Sequence, residues 1–171
     1  MILPDLDNYP VLKWTGFKWL LDRRVPVETL ISLTPIRSIR GVIAHDGRFD
    51  EDPEGEMFLA FREVEDVVFW RPGSEQIGTW LGRSFALNED VITDSSTYLF
   101  GNLNIYRSPL DWLRNACDGI VILDWMRAFE RLRDCPRIAI SEDILFQYQR
   151  HMQPLHMPEL LVITTGKAVA A

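Results

Sequence analysis

The stretch LNIYRSPLDWLRNACDGIVILDWMRAFERLRDCPRIAISEDILFQYQRHM, Leu103 to Met152, decides the fold class. It reads as strand, helix, strand, helix, strand, helix, with no gap wide enough for a domain break. Leu103 to Tyr106 is a short strand. Ser108-Pro109-Leu110-Asp111 is a helix start, with Ser108 as cap, Pro109 at the first helical position and Asp111 near the positive helix end. That helix is expected to run to about Cys117, after which Asp118-Gly119 turns the chain. Gly119-Ile120-Val121-Ile122-Leu123 is apolar on both faces, as a buried parallel strand is. Trp125 to Arg133 reads as a helix with Met126, Phe129 and Leu132 inward, ended by Cys135-Pro136. Arg137 to Ile140 is the next strand, and Ser141 is expected to cap a long helix through His151. Alternation on this scale implies parallel strands with crossover helices, which places functional groups beyond the strand ends.

Upstream the pattern differs. Pro10 to Leu33 is mainly helical, with Trp14, Phe17 and Leu21 as one apolar stripe and a second short helix opened by Pro26. Ile36 to Ala44 is a strand, His45 to Glu56 a polar connection, and Met57 to Phe61 and Val64 to Trp70 two more extended pieces. This predicts an antiparallel hairpin from Ile36 to Phe61, with Val64 to Trp70 extending its second strand or adding a third. Arg71-Pro72-Gly73 stops it, and Ser74 is expected to cap a helix carrying Ile77, Trp80 and Leu81. Between Phe85 and Tyr98, Asn88 suits the cap of a helical turn and Asp94-Ser95-Ser96 a loop. Pro154 and Pro158 bracket a loop before a last strand, Leu160 to Thr164, and the tail from Thr165 to Ala171 is expected to fray. The class is α/β or α+β: a mixed sheet with an antiparallel N-terminal hairpin and a parallel βαβ C-terminal half, flanked by helices. One domain over 1–171 is expected, with a helical segment at 1–33, antiparallel strands at 36–70 and a βαβαβ-like half at 103–164.

The chain has 171 residues, 47% of them hydrophobic, and a net charge of −7. A chain of this size buries roughly 70% of its unfolded surface and needs no metal or disulfide staple. The negative charge disfavours direct contact with nucleic acid or an anionic membrane. No apolar run approaches the ~20 residues that span a bilayer, and the start Met1-Ile2-Leu3-Pro4-Asp5 has no signal character. Two cysteines, Cys117 and Cys135, read as reduced and mostly buried thiols of a cytoplasmic protein. Fifteen of the eighteen basic residues are arginine. Arginine suits bidentate contacts to carboxylate or phosphate, although a GC-rich genome also writes arginine for lysine.

Asp124, Glu142 and Asp143 each follow a parallel strand. They would converge on a divalent ion such as Mg²⁺ or Mn²⁺ if those strands were neighbours; otherwise they favour helix N-termini electrostatically. From Gly119 to Asp143 this layout resembles the toprim domain of primases and topoisomerases, where a glutamate follows one strand and an acidic pair another. The departures are that Asp124 stands where the glutamate is expected, Glu142 and Asp143 are adjacent, and no glycine follows the first acid. The likeness is one of layout and not a family assignment.

The acidic run Asp50 to Gly55 mimics half a calcium loop, but the twelfth position is Phe61, so it reads as a solvated hairpin tip. His151 and His156 are five apart with Pro154 between them, and His45-Asp46 lacks a nearby nucleophile. Cys117, near the negative end of its helix, is a poor nucleophile. Arg71 beside the helix expected at Ser74 suits an anion weakly. Six tryptophans, Trp14, Trp19, Trp70, Trp80, Trp112 and Trp125, divide between core packing and interface use.

Trp70, Arg71, Arg83, Tyr106 and Arg107 are the expected interaction surface, joined by Arg127 and Arg131 at i, i+4 on one helix face. The expected function is binding of a protein partner, or of a second copy of the chain, without catalysis and without a cofactor. The alternatives are a Mg²⁺- or Mn²⁺-dependent phosphotransfer or nuclease-type enzyme using Asp124, Glu142 and Asp143, and an acidic regulator of a nucleic-acid-binding protein.

Overall fold

A computed structural model describes residues 2–99, 101–153, 161–164 and 167–170. After a 3-10 turn at Leu6–Asn8 come two short helices, α1 (Trp14–Asp22) and α2 (Val27–Ser32). The stripe of α1 is centred on Leu20, 1% exposed, with Phe17 and Leu21 partly buried beside it. Trp14 does not join them and is 70% exposed. A helical side chain leans back over the turn before it, and Trp14, the first residue of α1, has no such turn.

Five strands form an antiparallel sheet: β1 (Arg37–Ile43), β2 (Phe49–Glu51), β3 (Glu56–Arg62), β4 (Val67–Trp70) and β5 (Ile77–Thr79). Their order is β2-β1-β3-β4-β5. The predicted hairpin is β1 and β3, paired Arg37 with Ala60 through Gly41 with Glu56. Val64 to Trp70 becomes a third strand because Glu63 donates its N–H to the Asp66 carbonyl and reverses the chain. β2 lies inside the expected polar connection, marked only by Phe49, whose ring stacks on Phe69 at 3.9 Å.

The helix expected at Ser74 is absent. Gly73, with φ +82°, lets the chain turn back, and Ile77, Gly78 and Thr79 pair with Trp70, Phe69 and Val68 as β5. Two β-branched residues around a glycine make poor helix and an acceptable edge strand.

The chain then enters a second sheet, made of β6 (Ala86–Leu87), β7 (Leu103–Tyr106), β8 (Ile120–Ile122) and β9 (Ile138–Ile140) in the order β6-β8-β7-β9. β7 runs parallel to β8 and to β9, and β6 is antiparallel to β8. The molecule is therefore α+β, with two sheets in place of one: the first antiparallel, the second mixed and holding the parallel strands. A 3-10 turn (Glu89–Ile92) and α3 (Ser95–Leu99) link β6 to β7, and α4 (Pro109–Arg114) links β7 to β8. Asn88 stands at the cap position of that turn, and α3 begins within the expected loop.

As read, Ser108 caps α4, its hydroxyl accepting the Asp111 N–H. The helix ends at Arg114, because Ala116 and Cys117 take left-handed φ of +56° and +60°. A 3-10 turn, Trp125–Arg127, opens α5 (Ala128–Leu132), and another, Glu142–Ile144, opens α6 (Leu145–His151). The tighter pitch shifts the phase of the apolar stripe, so Ala128 and Leu132 are buried while Met126, expected inward, is 60% exposed. Ser141 does not cap with its hydroxyl, which donates to the Ile105 carbonyl instead. Beyond this, β10 (Leu161–Thr164) pairs antiparallel with β11 (Lys167–Ala170) as a separate two-stranded sheet, so a strand forms within the tail expected to fray.

β3 and β4 are buried on both faces. Leu59, Phe61, Val68 and Trp70 point to a core shared with Leu87, Trp112, Leu113 and Val121 of the second half. Phe58, Ala60, Val67 and Phe69 point the other way, against Phe49, Leu6 and Tyr9. No helix among the described residues is long and apolar enough to cross a membrane.

The junction between the sheets is polar. Asp66 is fully buried, and its carboxylate accepts four backbone N–H groups: Val67 at 2.8 Å, Leu81 at 2.7 Å, Arg83 at 2.7 Å and Ser84 at 3.2 Å. Three of these belong to the segment that carries the chain from β5 to β6. Asp66→Ala orphans four backbone donors, two of them in buried and two in part-buried hydrogen bonds, and is expected to cost about 3 kcal/mol in urea denaturation, with Asp66→Asn, which keeps one acceptor oxygen, intermediate.

Candidate functional site

Next to this junction lies a cleft of about 490 Å³. One wall is the β3–β4 turn with Glu63 and Val64, a second is the segment through Arg83 and the following 3-10 turn, and the third is α5, with Arg127 just before it and Arg131 in its last turn. The sequence singled out Arg83, Arg127 and Arg131 as interaction residues, and the fold brings these three together.

Their surroundings differ. Arg131 pairs with Glu89 and sits over the Phe85 ring. Arg127 donates from Nη1 to the Arg83 carbonyl at 2.9 Å. Among the described residues neither Arg83 nor Arg127 makes an ion pair with a carboxylate. Glu65, Asp90 and Glu130 stand exposed around the opening.

Glu63 forms the inner wall and is 8% exposed. Its Oε1 accepts the Asn88 N–H at 2.6 Å and its Oε2 the Glu89 N–H at 3.1 Å. Asn88 takes a left-handed φ of +63°, and its amide donates to the carbonyls of Cys117 and Gly119. Glu63 thus fastens the first sheet to the turn that carries Glu89. Burial pushes its carboxyl up to about 7, against the lowering effect of the Asn88 N–H; Asp90 and Asp66 add to the rise. Glu63 also lines a second recess of about 380 Å³ on its other side, beside Arg37, Asn88, Trp112 and Cys117.

The remaining interaction candidates lie elsewhere. Trp70 is 2% exposed, a core residue whose indole N–H reaches the Ser74 carbonyl, so it offers no contact surface. Arg71 joins Glu56 and Gln76 at the β4–β5 turn. Arg107 bridges Glu75 and Asp143, and Tyr106 packs half-buried against the shared core.

Asp124, Glu142 and Asp143 follow β8 and β9, which are not neighbours: β7 lies between them, a separation of about 10 Å. Asp124 accepts the Met126 N–H as a cap, Asp143 pairs with Arg107, and Glu142 is exposed in the first turn before α6. Among the described residues no group of three His, Cys, Asp or Glu side chains is placed to hold a metal ion. In the acidic run, Asp52 accepts the Glu54 N–H within the turn from β2 to β3. His45 is exposed between β1 and β2, His151 packs on Trp125 at 5.8 Å, and His156 lies outside the described residues. Burial pushes the Cys117 thiol up to about 12, so it is a poor nucleophile through burial and not through a helix end.

Sequence reasoning missed Glu63 and Asp66, and read Asn88 only as the cap of a helical turn. Arg62-Glu63-Val64-Glu65-Asp66 has the composition of a solvated turn, and the one usable signal was Asn88, a residue type that tolerates the left-handed conformation. No family model, curated protein or solved structure matches the chain.

The raised Glu63 carboxyl sets a pH dependence. The folded state holds that proton more tightly than the unfolded chain does, so the stabilisation is complete below about pH 4.5 and is lost as the pH rises through about 7. In denaturation curves the stability difference between wild type and Glu63→Gln is expected to shift in favour of Glu63→Gln over that window, by about 2–3 kcal/mol.

Proposed function

We propose that the protein acts by binding a partner protein, and that the cleft between the β3–β4 turn and α5 receives a carboxylate-bearing segment of that partner. The observation that carries this reading is the convergence of Arg83, Arg127 and Arg131 on one cleft, with Arg83 and Arg127 lacking carboxylate partners among the described residues. A guanidinium fork presents parallel N–H groups that match a carboxylate bidentately. The exposed acids Glu65, Asp90 and Glu130 complement basic residues on either side of that carboxylate. The matching segment is therefore acidic at its centre and basic at its flanks. Such an arrangement supplies specificity and association rate more than bulk affinity.

The test is calorimetric titration with the peptide acetyl-Lys-Glu-Glu-Lys-amide against its glutamine counterpart, acetyl-Lys-Gln-Gln-Lys-amide. The glutamate peptide is expected to bind at least about tenfold more tightly, and the double variant Arg83→Gln, Arg127→Gln to abolish the preference, since each charged hydrogen bond contributes about 1.5–3 kcal/mol. Equal binding of the two peptides contradicts the proposal.

A further inference from the structure

We infer that a carboxylate entering the arginine cleft draws a proton onto Glu63, so that partner binding is coupled to proton uptake. The inference rests on the partner-binding reading and extends it to regulation of the same site.

The geometry supplies the coupling. Glu63 separates the arginine cleft from the second recess and lines both. Two of its lone-pair sites are taken by the Asn88 and Glu89 N–H groups, and an ionised carboxylate has about four such sites. The charges it faces oppose one another. Asp90 from the next turn and Asp66 from its own disfavour a negative Glu63. Glu65, Glu89 and Glu130 line the same cleft with Arg83, Arg127 and Arg131, and Arg62 lines the second recess. Across the second recess, Arg37 and Asp7 pair with each other at 2.8 Å and nearly cancel. The Cys117 thiol on that side stays neutral.

A partner carboxylate seated on Arg83 and Arg127 brings a further negative charge into the cleft that Glu63 lines. That charge adds to those of Asp90 and Asp66, and the protonated form of Glu63 gains. Burial already holds Glu63 close to half-protonated at neutral pH, where a modest change in the local field moves a measurable fraction of a proton. Linkage makes the effect reciprocal: if binding takes up a proton, acidification tightens binding. No covalent step is involved; the proton comes from solvent and returns to it on dissociation.

The experiment titrates acetyl-Lys-Glu-Glu-Lys-amide into wild type and Glu63→Gln near neutral pH, in two buffers of different ionisation heat. A fractional proton uptake is expected for wild type and none for Glu63→Gln. Wild-type affinity is expected to be roughly three- to tenfold higher at about pH 6 than at about pH 8, and that of Glu63→Gln nearly flat. Carboxyl ¹³C NMR of Glu63 in the wild-type protein gives a readout that needs no variant: its titration midpoint should lie near 7 when free and move upward with peptide. Binding heat with no proton exchange, or a Glu63 midpoint in the ordinary carboxylate range, overturns the coupling and leaves the partner reading standing. No binding heat at any pH overturns the partner reading and the coupling with it.

Discussion

The chain leaves the first sheet at Thr79 and enters the second at Ala86, and in the segment between them three N–H groups point at one buried carboxylate, that of Asp66. A buried charge is stabilising only when its lone pairs are satisfied, and four N–H groups satisfy these. The same four contacts fix where Arg83 lies, because its own N–H is one of them. Apolar packing between Trp70, Leu59, Trp112 and Leu113 supplies the bulk of the attraction between the halves. Packing is non-directional, however, and the hydrogen bonds to Asp66 and Glu63 select the alignment that opens the cleft.

The cleft carries acids as well as arginines, on a chain whose net charge is −7. Overall field and local chemistry therefore point in different directions. The exposed acids are screened within about 10 Å at ordinary ionic strength, whereas the inner groups sit against low-dielectric walls. The Arg131–Glu89 pair cancels and the Glu63 carboxyl is near its own midpoint, so the effective charge facing a ligand is less negative than the residue count suggests. This local balance makes a partner of mixed charge a better match than a uniformly acidic one.

The parallel half was legible because its signals are local: the Ser108-Pro109 cap, the apolar run at Ile120 to Ile122 and the turn at Asp118-Gly119 each act within a few residues. β5 was misread because Ile77-Gly78-Thr79 becomes a strand only once β4 lies beside it, a tertiary effect that overrides local pattern. Trp70 was assigned to the surface on residue type, and its burial follows from β4 being covered on both faces. Arg83, Arg127 and Arg131 were legible as chemistry, but not as a cluster, since their proximity depends on the β6-β8-β7-β9 order. Glu63 and Asp66 were illegible because a buried carboxylate and a solvated one share the same sequence signature in a turn.

The most direct measurement is a crystal structure of the protein with acetyl-Lys-Glu-Glu-Lys-amide bound. A peptide carboxylate is expected in the cleft, its oxygens about 2.7–2.9 Å from the guanidinium nitrogens of Arg83 and Arg127. A peptide seated elsewhere, with the cleft arginines untouched, would contradict partner binding through the cleft.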